Sequence, residues 1–295
     1  MVFLDKEAGT TSFAALSALK RAAGTRKVGH TGTLDPFATG MLIALVGSAT
    51  RTARYFNGLS KRYEATFAFG NETDTDDLTG ETTAEAPRPS LDAVLPALDA
   101  FRGEIDQLPP SYSAVHVAGR RAHELARAGQ TPELSTRRVT VERLETGPAI
   151  EGDGRLASLD VRIVCSAGTY VRSIARDLGR AVGSAAHVTA LRRTAVGPFD
   201  LERAVTPAAL ALPRDLYDLA AVLPAIDGLD RLEVTAELAR AASLGHRLRR
   251  DQLGLEDHDP TSRLVLTFEG RAIAIIGVEG NDVAYDMVIP GGGPD

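Results

Sequence analysis

Between positions 63 and 69, Tyr63, Ala65, Phe67 and Phe69 alternate with Glu64, Thr66 and Ala68, and Gly70 follows. A period of two belongs to a half-buried strand, so the pattern predicts a strand that ends at the glycine. Residues 156–165 read as a second strand. From Val171 the period lengthens: Val171, Ile174, Ala175, Leu178 and Val182 share one helical face, and Gly183 stops it. A strand therefore feeds a helix through Ser166-Ala167-Gly168-Thr169-Tyr170. Further helices are predicted over 91–101 and 121–128. Beyond Leu212-Pro213, and again around Leu223-Pro224, the chain becomes acidic and Pro-punctuated. A helix over 236–243 and short strands over 264–268, 272–278 and 283–289, separated by Gly turns, predict a second unit that closes into a small β-barrel. The division expected is 1–222 and 223–295, with the tail 291–295 frayed. No repeat of ~20–50 residues appears, which excludes solenoids and propellers. The class expected is α+β, a mixed and largely antiparallel sheet with flanking helices.

The 295 residues are 44% apolar and 24% charged, which excludes a disordered, collagen-like or coiled-coil chain. Cys165 is the lone cysteine, so neither an internal disulfide nor a thiolate metal site can be built. No run approaches the ~18 apolar residues of a membrane span, and the first residues lack an export pattern. A soluble protein of the reducing cytoplasm is expected. The net charge of -6 argues against indiscriminate coating of nucleic acid. It is unevenly spread: residues 1–70 and 111–195 are each +5, and 71–110 and 196–295 are each -8. The two basic stretches either converge on one groove or remain separate solvated faces.

Chemistry concentrates in Gly29-His30-Thr31-Gly32-Thr33-Leu34-Asp35-Pro36-Phe37-Ala38-Thr39-Gly40, where small residues crowd a single carboxylate. Pro36 pushes Asp35 toward extended backbone and the glycines permit tight turns, so the carboxylate is presented on a constrained loop. Asp-Pro alone is also a common turn signal. No Gly-Lys-Ser/Thr of a phosphate loop follows, and there is no Gly-x-Ser-x-Gly elbow. Arg172 lies in the first turn of its helix, where the macrodipole favours anions, so a negative partner is expected. Asp35 is one candidate, and pairing would lower its pKa and hold it ionised. Arg172, Arg176 and Arg180 form an i, i+4, i+8 stripe that either tracks phosphates or is solvated. Tyr63 and Tyr170 are informative in a chain with 5% aromatics and no Trp, since each can stack on a base. Residues 71–77 read as a capped turn in preference to a calcium loop, and the six histidines show no metal-ligand spacing. No metal and no cofactor is predicted.

These residues together resemble the bacterial tRNA pseudouridine-55 synthases of the TruB family. The 29–40 segment resembles that family's catalytic motif. Lys6 to Ser12, Lys61 to Glu64, Pro109 to Ala114, Cys165 to Gly179 and Leu191-Arg192-Arg193 are similar to its other motifs, over about residues 1–200. The resemblance implies a pseudouridine synthase fold with a short C-terminal PUA-like RNA-binding module. It implies an isomerase that flips uridine-55 from the T-loop of tRNA and converts it to pseudouridine, acting as a monomer without a protein partner. Asp35 would be the catalytic aspartate, acting at C1', at C6 or through a glycal. Arg172 would pair with it. Tyr63 would stack on the flipped uracil and assist removal of its C5 proton, and Tyr170 and Leu191 would line the uracil pocket. His30 would fill the space the base vacates, and Lys6 would support the tyrosine loop. The chain departs from the family pattern at Glu7, where Pro is usual, and at His116 and His123, where Lys and Tyr are usual.

Overall fold

The computed structural model describes residues 1–113, 115–117, 119–259, 263–280 and 282–290. Ala114, the side chains of His116 and His123, and the 291–295 tail lie outside the described residues. Seven strands cross the main sheet in the order Val2–Lys6, Thr39–Val46, Ala186–Val196, Lys61–Phe69, Arg155–Cys165, Arg137–Gly152 and Gly103–Gln107. Val28–Thr31 and Phe199–Asp200 pair with the second and third of these. Only the contact of Thr39–Val46 with Ala186–Val196 is parallel, so the sheet is mixed and largely antiparallel, as expected.

The pleat sorts each strand's residues onto two faces. In the central strands Ala65, Phe67, Val161 and Ile163 pack against the helix Val171–Ala181, whose Ile174, Ala175 and Leu178 are buried with them. Gly183 ends that helix region at φ +67°, the left-handed conformation that glycine adopts most readily. At the other end of the sheet Val2, Leu4, Leu42 and Ala44 face the helix Ser12–Ala22, while Phe3, Met41, Ile43 and Leu45 face the opposite way. The predicted 91–101 helix is an α-helix, Leu91–Ala97, followed by a 3-10 turn, Leu98–Phe101. The change follows Pro96, which has no N–H to add to the ladder.

Beyond residue 222 the strands Leu229–Glu233, Arg263–Phe268, Arg271–Glu279 and Asp282–Val288 lie side by side in that order. Among the described residues the two outer strands do not pair with each other, so the sheet there is open and not the barrel expected. One face covers the helix Ala236–Ser243 through Leu264, Leu266, Ala274 and Ile276. The other presents Val265, Ile275 and Met287 to the main sheet's Phe3, Met41 and Ile43. At this junction the rings of Phe3 and Phe199 are 5.1 Å apart and those of Phe56 and Phe199 6.1 Å. No helix of the described residues is long and apolar enough to cross a membrane. Because one core serves both units, Phe199→Ala is expected to cost ~3–5 kcal/mol and to shift a single cooperative urea transition reported by probes in either unit.

Candidate active site

The segment around Asp35 joins the antiparallel strands Val28–Thr31 and Thr39–Val46. A turn closes from the Ala38 N–H to the Asp35 carbonyl at 3.1 Å, with Pro36 at the second position that its fixed φ suits. Four outside groups pin the backbone. Ser12 Oγ accepts from the Leu34 N–H (2.8 Å) and donates to the Leu34 carbonyl (3.0 Å). The Gly9 N–H and Lys6 Nζ both donate to the Pro36 carbonyl, at 2.8 and 3.2 Å. The buried Arg193 guanidinium donates to the carbonyls of Gly32 (3.0 Å), Thr33 (3.4 Å) and Met41 (2.8 Å). Gly40, at φ +104°, lies so close to the Arg193 backbone that a Cβ there would collide with its carbonyl.

The loop forms one wall of a 560 Å³ cavity. Asp35, Tyr63, Tyr170, Arg172 and Leu191 line it together, joined by Asp77, Lys61 and Arg193. Arg172 meets Asp35 with two nitrogens: Nη2 donates to Oδ1 at 3.0 Å, and Nε lies 2.9 Å from Oδ2 as an ion pair without hydrogen-bond alignment. It also donates to the carbonyls of Thr75 (2.6 Å) and Tyr112 (3.0 Å), and lies 3.4 Å from the Asp77 carboxylate. Two carboxylates thus share one guanidinium at the positive end of a helix. The expected lowering of the Asp35 pKa is reversed. Burial pushes the carboxyl above its ordinary value; Arg172 opposes this and Asp77 reinforces it. Burial likewise raises the Tyr63 phenol, so its hydroxyl stays protonated.

The arginine stripe neither tracks phosphates nor is simply solvated. Arg172 and Arg176 are buried, and all three residues pair with the 71–77 segment: Arg172 with Asp77, Arg176 with Asp76 at 2.8 Å, Arg180 with Glu72 at 2.6 Å. That segment is closed by Asp77, whose Oδ1 accepts from the Thr79 N–H at 2.9 Å and from the Thr75 and Thr79 hydroxyls. Lys6 supports the Asp35 loop and not the tyrosine: its ammonium donates to the carbonyls of Glu7, Thr10 and Pro36. His30 stands on Val28–Thr31 outside the cavity lining. Its Nδ1 is buried without a hydrogen-bond partner, and burial lowers its pKa, keeping the ring neutral. Tyr170 precedes the helix, held by Gln107, which accepts from its N–H (2.8 Å) and donates to its carbonyl (3.0 Å). Sequence reasoning assigned no role to Asp77, Lys61 or Arg193; the arginine spacing and the 72–77 acids were visible, but not their pairing across about 100 residues.

Asp77→Asn removes a like charge and should lower the Asp35 pKa, whereas Arg172→Met removes the opposing cation and should raise it. Carboxyl-carbon NMR titration of Asp35 measures both; shifts of the same sign in the two variants would contradict this electrostatic arrangement.

A model described as TruB family pseudouridylate synthase (N terminal domain) matches residues 20–171, and one described as tRNA pseudouridylate synthase B C-terminal domain matches 172–219. The chain is 46% identical to the tRNA pseudouridine synthase B of Thermobifida fusca (strain YX) over 253 residues, which is 84% of this chain and 86% of that protein. It is 40% identical to that of Corynebacterium efficiens over 295 residues, 98% of this chain and 95% of that protein. Among solved structures, an H/ACA RNP bound to a substrate RNA containing 2'-deoxyuridine matches with TM-score 0.69 at 20% identity, covering 98% of this chain and 84% of that one. A Cbf5-Nop10-Gar1 complex matches with TM-score 0.66 at 23% identity, covering 98% and 84%. These two likenesses concern the fold. By the identity and extent of its sequence matches, the chain belongs to the TruB family of pseudouridylate synthases.

Proposed function

We propose that the protein converts uridine-55 in the T-loop of tRNA to pseudouridine. The observation that carries the reading is a carboxylate, Asp35, fixed by Arg172 in a cavity walled by Tyr63, Tyr170 and Leu191. The reaction breaks the N1–C1' bond, turns the base, joins C5 to C1', removes the C5 proton and returns one to N1, without redox change or group transfer. Its requirements are an everted base, an ionised carboxylate beside the sugar and C6, and exclusion of water while the uracil turns. Tyr63 stacks on that base, and its raised pKa makes its hydroxyl a relay for the C5 proton and not a phenolate base. Tyr170 and Leu191 hold the other faces.

Residues 1–222 carry the chemistry, and 223–295 form a PUA-like unit on the RNA side. Several of that unit's arginines are already paired, Arg247 with Asp282, Arg249 with Asp251 and Arg263 with Asp286. It contributes shape more than charge. The chain acts as a cytoplasmic monomer without a protein partner, so a bare T-arm minihelix is a sufficient substrate; no product from that mixture would contradict this.

Asp35→Asn is expected to abolish pseudouridine formation while tRNA affinity stays within about tenfold, ~1.4 kcal/mol. Normal turnover by this variant would refute the assignment. The ionised carboxylate is the active form, so single-turnover rates should fall with acidification, with a midpoint above the ~3.9 of an ordinary aspartate. Tyr63→Phe should keep binding and slow the single-turnover rate; an unchanged rate removes the relay.

A further inference from the structure

Residues 8–34 contain Lys20, Arg21, Arg26 and Lys27 and no Asp or Glu. Elsewhere exposed arginines commonly find carboxylates, as Arg138, Arg247 and Arg249 do. None of these four cations has an ion-pair partner among the described residues. Within this stretch the helix Ser12–Ala22 buries Ala15, Leu16 and Leu19 and turns Phe13 outward, 67% exposed. The Lys20 ammonium sits 3.7 Å from the centre of the Phe13 ring. The helix begins beside the catalytic loop, because its first residue, Ser12, is the one whose hydroxyl holds Leu34. Eight residues on from Ser12, the Lys20 backbone lies ~12 Å further along the axis.

A single exposed apolar side chain needs no explanation. An exposed ring with an unpaired cation against it, a second cation next in sequence, no acid in its own segment and the catalytic loop adjoining, is a different feature. Nucleobases stack on aromatic rings, and ammonium and guanidinium groups neutralise the phosphates on either side. We propose that Phe13, Lys20 and Arg21 form a second RNA contact, outside the uracil cavity, in which Phe13 stacks on an unpaired base of the same tRNA and the two cations take its flanking phosphates. This contact rests on the tRNA reading above, and it extends recognition from one everted base to a second.

The chain has no tryptophan, so Phe13→Trp supplies a single indole whose emission reports stacking. Adding T-arm RNA to this variant should quench the emission. Phe13→Ala should weaken tRNA binding about tenfold and leave the salt dependence of binding unchanged. Lys20→Ala should flatten that dependence by roughly 0.7–0.9 in slope, one phosphate contact. Unquenched emission with unaltered affinity of Phe13→Ala overturns the proposal and leaves the face to some other partner. Pseudouridine formation by the unsubstituted chain is scored separately. Product without quenching sinks the second contact alone, and quenching without product sinks the catalytic reading alone.

Discussion

One guanidinium organises the site. Arg172 holds Asp35 with two nitrogens, shares its charge with Asp77 and fastens the Thr75 and Tyr112 carbonyls, so three segments distant in sequence, around 35, 75–77 and 112, meet at one planar cation. A point charge on a flexible stem would not fix those directions at once. Burial is why Asp35 is not simply an acid made stronger by its partner, and Asp77, the second carboxylate on the same cation, adds to the effect. The ionisation of Asp35 is held in balance by burial on one side and Arg172 on the other.

Around that pair, hydrogen bonds to backbone carbonyls act together with the packing of Leu34 and Ala38 in the core. Lys6, Ser12 and Arg193 between them engage the carbonyls of Gly32, Thr33, Leu34 and Pro36. The loop that displays the acid is therefore held almost residue by residue, as a site needs when its reacting group must stay put while a base rotates beside it. The open second sheet does comparable work at a larger scale, since its inner face completes the core beneath Val2–Lys6 and Thr39–Val46, the strands that carry Lys6 and the end of the catalytic loop.

What was legible in the sequence followed local periodicity and local chemistry. The 63–69 strand, the Val171 helix and the 236–243 helix were readable because alternation and helical spacing are short-range signals. Arg137–Gly152 was not: only a few of its sixteen residues are buried, and its register slips around Gly147 and Pro148. At the site, charge and dipole made Asp35 one candidate partner for Arg172, and the family resemblance singled it out. The sign of the Asp35 shift could not, because desolvation depends on what surrounds the carboxyl in three dimensions. The fate of Arg176 and Arg180 and the true hold of Lys6 depended likewise on contacts made only by the fold.

The buried lysines carry a thermodynamic corollary. Lys6 and Lys61 are both driven by burial from the usual lysine value to about 8, though their ammonium groups are surrounded by carbonyls. In the interval between that value and 10.5 the native chain binds fewer protons than the denatured one, so alkalinity there favours the native state. Below it, both work as charged groups deprived of water, and the contact by which Lys6 immobilises the acid's loop costs conformational stability at neutrality.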